Sequence, residues 1–284
     1  MKDSYFFHHT NSRFFKIYGN ESESFIQNLI TNDITKCSKD RIIYSCLLTP
    51  QGKFIADFFI FKQNNIYFFE TDKKFYDNLL QKLKIYKLRS KINIEEEENL
   101  FSYSIFNFDY SFNYLSKQPD PRNSNLGNKL ILENEIELSD DNTKIIDETK
   151  YHEILILNNT PYSSIDLNQN KSLLLENNFE NLSAIDWEKG CYVGQEITAR
   201  MKYRALLKKK LYPLKIKNGE ASIDMELIAN GKKIGEIKSI ANSYIFAILN
   251  IEFVDEFKNI SNILKLDDSL ILEFLNWKIF SEIG

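Results

Sequence analysis

The sequence predicts an α+β protein that ends in a separate, smaller β domain. Its 284 residues are near the upper limit for one hydrophobic core, so two or three compact units are expected. Up to residue 204, strand-like segments alternate with segments of helical spacing. The residues from 205 onward carry several short strand-like segments, which are typical of a small β-barrel or sandwich. We therefore expect one region at 1–204 and a C-terminal β-barrel domain at 205–284.

The first third of the chain predicts an antiparallel meander flanked by two helices. The apolar stripe after Glu21 and the three- and four-residue spacing after Lys73 favour helices. Turn residues at 49–52 and 64–65 separate the strands between them. The acidic run 95–98 is expected to be a solvated strand end or a turn. The predicted elements are a helix at 21–31, strands at 41–48, 54–61 and 66–70, a helix at 73–89 and a strand at 91–94.

Two further strands, one long helix and the C-terminal strands complete the prediction. A loop that contains the prolines of 119–122 separates the two strands, and Pro161 ends the helix. The Asn230-Gly231 dipeptide is typical of a two-residue hairpin. These elements are strands at 101–108 and 129–132, a helix at 142–158, a polar loop at 163–170, and strands at 206–216, 233–237, 244–252 and 270–277.

Composition and charge exclude several classes of function. The net charge is −4, from 36 basic and 40 acidic residues, so the chain lacks the basic field that nucleic-acid binding requires. Its three cysteines have neither disulfide-framework nor CxxC spacing. Its three histidines form no HExxH or Cys/His zinc pattern. We expect no metal site and no direct nucleic-acid ligand.

The N-terminal residues and the apolar runs bear on the compartment. Residues 1–15 lack a basic segment followed by an apolar run of secretory length, and they are not typical of a transit peptide. Apolar runs elsewhere are shorter than the roughly 20 residues that cross a bilayer. The sequence therefore predicts a cytoplasmic protein that is not inserted in a membrane.

The stretch from Lys189 to Glu196 concentrates chemically distinctive residues. Gly190 and Gly194 bracket Cys191, and glycines at such positions weaken any regular element. If a helix begins near Gly194, its unpaired N–H groups and the Lys189 ammonium would favour a thiolate at Cys191. The alternative is that Cys191 is a small buried apolar side chain, as most cysteines are.

Several ordered blocks resemble one known family. The segment KGCYVGQEITARMKYR at 189–204 resembles the signature of the YgfZ-type folate-binding proteins, relatives of the glycine-cleavage T-protein (aminomethyltransferase). Matching blocks elsewhere are FIQNLITNDI, LLTPQGKFIADFF, YKLR, PDPR and NGKKIGEI. The resemblance implies a three-part cloverleaf, in which two interleaved α+β units and a C-terminal β-barrel surround a central folate channel.

The resemblance also implies a function and a set of site residues. It implies a tetrahydrofolate-binding factor that assembles or maintains iron-sulfur clusters, including those of radical and tRNA-thiolating enzymes. The partners are then folate and iron-sulfur assembly or client proteins, and the chain is expected to be a monomer. Cys191 is the functional side chain that the signature implies, and Lys189 is expected to tune it.

Folate contacts follow from the resemblance less directly. Tyr151 takes the place of an aromatic residue of the family and could stack on a pterin ring, or it is a core-facing helix residue. Asn32 is a candidate ligand or a turn cap. Gln195 and Glu196 could bind a pterin edge or cap the helix, and Arg200 could meet the glutamate tail of folate or pair with Glu196. The family's usual arginine and glycine near Tyr151 are replaced by Leu155 and Asn159.

Two other functions stay open at this stage. The T-protein has two adjacent acidic residues in one strand, where this chain has Ala56-Asp57, and a single carboxylate can still act as a general acid or base. An aminomethyltransferase is therefore one alternative. A scaffold that has kept the fold without the ligand is the other, and it would tolerate the loss of Tyr151 and Arg200.

Overall fold

The computed structural model describes residues 5–106, 113–136, 144–204, 206–257, 261–267 and 269–275. Within these ranges the chain forms three β-sheets and six α-helices. The strands are β1 (Tyr5–His8), β2 (Ser12–Tyr18), β3 (Ile43–Leu48), β4 (Phe54–Gln63), β5 (Ile66–Asp72), β6 (Asn93–Glu97), β7 (Phe101–Phe106), β8 (Ser116–Pro119), β9 (Asn128–Leu132), β10 (Lys144–Ile145), β11 (Lys209–Asn218), β12 (Glu226–Ala229), β13 (Lys232–Ala241), β14 (Tyr244–Asn250), β15 (Ile263–Lys265) and β16 (Ile271–Phe274). The helices are α1 (Ser22–Gln27), α2 (Lys73–Lys87), α3 (Glu148–Leu157), α4 (Ser163–Asp166), α5 (Gln195–Tyr203) and α6 (Ile251–Phe257).

The first sheet has the strand order β3-β4-β5-β2-β6 and contains the predicted meander. All its neighbouring strands are antiparallel. Helix α2 buries Phe75, Leu79 and Leu83, the residues at helical spacing, against this sheet. The largest apolar cluster of the described residues lies here and extends to Met201.

The second sheet shows that the two N-terminal units are interleaved along the chain. Its order is β10-β1-β7-β9-β8. Strand β1 pairs with β7, with Phe6 opposite Ile105. The chain thus leaves this sheet after His8, forms the whole first sheet, and returns at Phe101.

The third sheet has the order β12-β13-β14-β11-β16-β15. Its two edge strands approach each other where the backbone N–H of Asp267 donates to the carbonyl of Ile228 at 3.1 Å. Helix α3 packs on this sheet through Ile156, which shares an apolar cluster with Leu211 and Phe246. Helix α3 therefore connects the second and third sheets.

Most predicted elements are confirmed, with shifted ends. The third helix starts at Glu148 rather than 142 because Asp147 caps it, accepting from the Lys150 N–H at 2.7 Å. Helix α1 ends at Gln27 rather than 31. The acidic run is part of β6, where Lys16 lies 3.2 Å from Glu97. Residues 107–108, 142–143, 205 and 276–277, which belong to predicted elements or to the domain boundary, lie outside the described residues.

Two strands at the N-terminus had not been predicted. Strand β2 lies between β5 and β6 in the first sheet, where Phe15 is fully buried. Its apolar residues alternate only over Phe15 and Ile17, too few to separate a strand from a loop by periodicity. Across the described residues, no helix has both the length and the apolar character needed to span a bilayer.

Candidate functional site

A cavity of about 330 Å³ lies where the first two sheets meet α3 and α4. We call it the central cavity. It draws residues from the β1–β2 connection, from β4, β5 and β9, and from the start of α3. Its polar lining includes His9, Asp57, Glu70, Arg122, Lys129, Tyr151 and Ser163. Cavities of this size hold small organic ligands.

Asp57 is the carboxylate that β4 presents to the central cavity. Its Oδ2 accepts a hydrogen bond from the Tyr44 hydroxyl at 2.5 Å and one from the Ser163 hydroxyl at 2.6 Å. Burial raises its pKa, and the two hydrogen bonds limit the rise. A buried carboxyl group with a raised pKa is a candidate general acid or base.

Arg122 is held by a carboxylate two residues earlier in the chain. Its Nε and Nη2 atoms donate to the two oxygens of Asp120, at 3.0 and 2.7 Å, and Nη2 also donates to the Tyr151 hydroxyl at 3.0 Å. Burial alone would lower the Arg122 pKa, but Asp120 outweighs it and the net shift is upward. The guanidinium is therefore charged and fixed in orientation.

Lys129 and Glu70 form a second buried ion pair in the same cavity. The Lys129 ammonium lies 2.9 Å from Glu70 Oε1 and donates to the Ser102 hydroxyl at 3.0 Å. Glu70 Oε2 is buried and accepts no hydrogen bond from the described residues. Since buried carboxylate oxygens are normally satisfied, this atom has capacity for a donor from water or ligand.

Tyr151 lines the central cavity but is itself fully enclosed, with 1% of its surface exposed. One face of its ring stacks on Phe7, with centroids 4.1 Å apart and an interplanar angle of 6°. His9 and Tyr162 meet the ring edge-on at 5.1 and 5.9 Å. A pterin stacked on Tyr151 would have to use the face opposite Phe7.

Lys189 is a structural anchor in this geometry. Its ammonium donates to three backbone carbonyls, those of Gln27, Ile30 and Asn32, at 2.7, 2.7 and 2.9 Å. These three bonds use its whole donor capacity. Burial lowers its pKa to about 8. The ammonium therefore fastens the 186–193 loop to the segment that follows α1.

Cys191 is exposed, whereas Cys37 and Cys46 are buried. Helix α5 begins at Gln195, as the sequence predicted, and Cys191 precedes its first turn. Gly194 has a φ of +83°, and a Cβ there would lie 2.5 Å from the Thr49 carbonyl oxygen and 3.2 Å from Gly52 Cα. The loop is thus seated directly on the β3–β4 turn. The described structure favours the accessible thiol over the buried apolar alternative.

The remaining candidate residues lie outside the central cavity. Arg200 donates to Glu196 at 2.6 Å on an exposed face of α5. Gln195, partly exposed, is in the first turn of that helix. The Asn32 side chain donates to the carbonyls of Tyr44 and Ser183 and accepts from the Asp33 N–H, so both of its amide protons are used and its oxygen keeps one lone pair.

The candidates therefore separate into two groups, a cavity that contains Tyr151 and a loop that contains Cys191. Sequence reasoning missed Arg122, Lys129 and Glu70 as cavity residues. The sequence contained a signal for Arg122, because an aspartate and an arginine stand two positions apart in the loop between two predicted strands. It contained no signal for Lys129 and Glu70, because these residues come from strands 59 positions apart.

The arrangement of the sheets is that of the aminomethyltransferase fold. Glycine cleavage system aminomethyltransferase T from Bartonella henselae superimposes with a TM-score of 0.74 over 96% of this chain and 85% of that chain. The sequence identity is 9%, so the likeness establishes the fold alone. The prediction of a mixed fold like that of the T-protein is confirmed.

In sequence, the chain is similar to proteins described as iron-sulfur cluster assembly factor IBA57 or its homologue, mitochondrial. The Neurospora crassa protein is 28% identical over 228 residues, which are 72% of this chain and 52% of that protein. The Mycosarcoma maydis protein is 26% identical over 223 residues, 70% and 54%. The human protein is 23% identical over 263 residues, 82% and 74%. The chain spans about half the length of the first two relatives. No family model matches the chain.

These relatives correct one prediction. All three are described as mitochondrial, which points to the mitochondrion, so the cytoplasmic location predicted from residues 1–15 is wrong. The physical reason is that composition near a chain start identifies a targeting signal only when that signal is present and typical.

Proposed function

We propose that this protein is an iron-sulfur cluster assembly factor that binds tetrahydrofolate in its central cavity and acts on partner proteins through Cys191. The similarity to iron-sulfur assembly factors over some 70% of the chain supports the first part. The observation that carries the proposal is the separation of a cavity lined by buried ion pairs from an exposed thiol on one aminomethyltransferase-type fold. A cavity of this size suits a small ligand, and an exposed thiol suits a protein or a cluster.

The finer expectations remain part of the proposal. They are the YgfZ-type subgroup, the cloverleaf with a closed C-terminal barrel, the boundary between 204 and 205, the monomeric state, and clients among radical and tRNA-thiolating enzymes. As folate ligands, Asn32, Gln195, Glu196 and Arg200 also remain predictions, as does an effect of Lys189 on Cys191. The contacts described above already give Asn32, Arg200 and Lys189 a structural task.

Folate binding is tested by calorimetry with tetrahydrofolate. We expect heat with the wild type, and about tenfold weaker binding for Tyr151→Ala, because an aromatic stack contributes about 0.5 to 1.5 kcal/mol. Tyr151→Phe, which keeps the ring, should bind nearly as the wild type does. Tyr114→Ala, at a tyrosine that is 52% exposed, is the matched control. A wild type that gives no heat would favour the ligand-free scaffold.

The role of Cys191 is tested by rescue in cells that lack their native assembly factor. Cys191→Ala is expected to fold normally but to leave iron-sulfur enzyme activity unrestored, because the only accessible thiol of the three cysteines is lost. Cys37→Ala is the matched control, since that buried thiol donates only to the Ile60 carbonyl at 3.4 Å. Full rescue by Cys191→Ala would contradict the proposal.

A second candidate function is supported by Asp57. Its half-buried carboxyl lines the cavity and is held by Tyr44 and Ser163, as a general acid or base would be. An aminomethyltransferase would form methylenetetrahydrofolate from an aminomethylated lipoyl carrier, and Asp57→Asn would abolish this reaction. Turnover by the wild type that Asp57→Asn removes would replace the assembly factor with this enzyme.

A further inference from the structure

One nitrogen of Arg122 is available for a ligand. The guanidinium is fixed through Nε and Nη2, as described above, and its plane is packed near two rings, with Cζ 4.9 Å from the centre of Phe59 and 5.6 Å from that of Tyr44. Only 9% of the residue is exposed. A guanidinium immobilised in this way loses little conformational entropy when it binds something.

The available nitrogen is Nη1. It donates no hydrogen bond to any described residue, although Nε and Nη2 make three between them. It is also absent from the enclosed polar atoms that lack a partner, so it is in contact with open space. Arg122 is one of the residues that line the central cavity.

The charges around Arg122 indicate what kind of acceptor fits. Asp120 balances the Arg122 cation, and Glu70 balances Lys129. Burial keeps the pKa of His9 well below its usual range, so this ring is neutral. No cation in the described cavity lining is left to offset a buried carboxylate, which would be costly without one.

We propose that Arg122 is a ligand-binding residue whose Nη1 donates to a neutral carbonyl oxygen of a heterocyclic ring in the central cavity. Where that ring is the pterin of a folate, the inference rests on the proposed function and assigns the 4-oxo group to Arg122. The acidic tail of the folate then lies outside the cavity interior. The competing role is structural: Arg122 only pairs with Asp120 to hold the 119–122 turn.

Two ligands that differ at one position separate these roles. Folic acid and aminopterin differ in having a carbonyl oxygen or an amino group at ring position 4, with the same tail. At about pH 7, calorimetry should show the wild type binding folic acid at least tenfold more tightly, since aminopterin has no acceptor at ring position 4 for Nη1. Arg122→Lys keeps the charge but loses the fork, and its preference should fall to about one. Arg89→Lys, at an exposed arginine outside the cavity lining, should keep the wild-type preference.

Each outcome decides the inference. Equal binding of both ligands by the wild type, or a preference that survives in Arg122→Lys, overturns it while leaving folate binding intact. If Arg122→Lys does not fold, the double variant Asp120→Asn/Arg122→Gln, which removes both charges, takes its place. Guanine, a ring with the same carbonyl and no acidic tail, shows whether a failure concerns folate binding or the role of Arg122. Binding of guanine but of neither folic acid nor tetrahydrofolate, lost in Arg122→Lys, rejects folate and supports Arg122, whereas a wild type that binds none of these ligands rejects both.

Discussion

The central cavity and the Cys191 loop hold their polar groups in opposite ways. In the cavity, side chains fix one another: Asp57 is held by two hydroxyls, and Arg122 by a carboxylate. In the loop, contacts with backbone groups hold the chain in place. The Lys189 ammonium donates to three carbonyls, and Gly194 lies against the β3–β4 turn. The thiol that the loop presents is exposed.

This difference indicates two kinds of recognition. Side chains fixed in an enclosed space are preorganised for one small ligand. Cys191 is exposed on a loop that is fixed against the β3–β4 turn, so a partner protein can reach the thiol. Because the loop is already fixed, it loses little conformational entropy when a partner binds. Substitution of Gly194 or Lys189, which hold the loop in place, should therefore lower stability strongly, whereas substitution of Cys191 should not.

The largest expected effect is that of Gly194→Ala. A left-handed backbone costs a non-glycine residue about 1 to 2 kcal/mol, and the new Cβ would also lie 2.5 Å from the Thr49 carbonyl oxygen. We expect the free energy of unfolding, measured by chemical denaturation, to fall by about 4 kcal/mol or more. Gly231→Ala has a similar φ of +70° and no atom within 4 Å, so it should lose only about 1 kcal/mol. Equal losses would show that the loop is not seated on the turn.

The next effect is the dependence of stability on pH that a buried carboxyl group produces. Asp166, on α4 beside the cavity residue Ser163, accepts hydrogen bonds from Ser239 and from the Tyr162 N–H. Burial raises its pKa to about 7. The folded state therefore holds this proton more tightly than the unfolded state does, and the stability it contributes is complete below about pH 4 and is lost as pH rises through about 7.

Asp166→Asn should remove this pH dependence. The difference in unfolding free energy between the wild type and Asp166→Asn should change by at most about 4 kcal/mol between pH 4 and pH 8, in the direction of a less stable wild type. Asp224→Asn, at an exposed position, should show a constant difference. A constant difference for Asp166→Asn as well would mean that the Asp166 carboxyl group is not buried.

A smaller loss is expected for Lys189→Met. This side chain fills the same space but leaves three carbonyl oxygens without their donor, which should cost about 3 kcal/mol of unfolding free energy. Lys39→Met, at an exposed lysine, should change stability by less than about 0.5 kcal/mol. If Lys189→Met were as mild, the ammonium would be free to act on Cys191, as the sequence had predicted.

The smallest effect is expected for Cys191→Ala. The thiol is exposed, so its removal should change the unfolding free energy by less than about 0.5 kcal/mol. A thermal or chemical melt measures this directly. A loss above about 1 kcal/mol would show that the Cys191 side chain is packed. The thiol and the residues that hold the loop would then no longer differ in their effect on stability.

Local sequence patterns were enough for the elements whose signals are local. The 49–52 turn and the spacing after Lys73 predicted β3, β4 and α2, and Gly194 predicted the start of α5. Strand β1 could not be found this way, because its partner β7 begins more than 90 residues later. Long-range pairing leaves no mark on a short segment of four residues.

The cavity was less predictable than the loop for the same reason. The Cys191 loop is one continuous segment, so its composition made it stand out. The cavity joins Asp57, Arg122 and Tyr151 from distant parts of the chain, and each of them alone is an ordinary polar or aromatic residue. The prolines of 119–122 predicted a loop, but the hydrogen bond from Arg122 to the Tyr151 hydroxyl depends on tertiary packing.

The contact between Gly52 and Gly194 has a mechanical consequence. A Cβ on Gly194 would lie 3.2 Å from Gly52 Cα, and a Cβ on Gly52 would lie 3.2 Å from the Gly194 carbonyl oxygen, so the two backbones are in close contact. Gly52 belongs to the turn that leads into β4, the strand that carries Asp57 to the cavity. A shift of that hairpin when a ligand enters would thus be transmitted to the loop without a flexible joint, and the position of the thiol would report whether the cavity is filled.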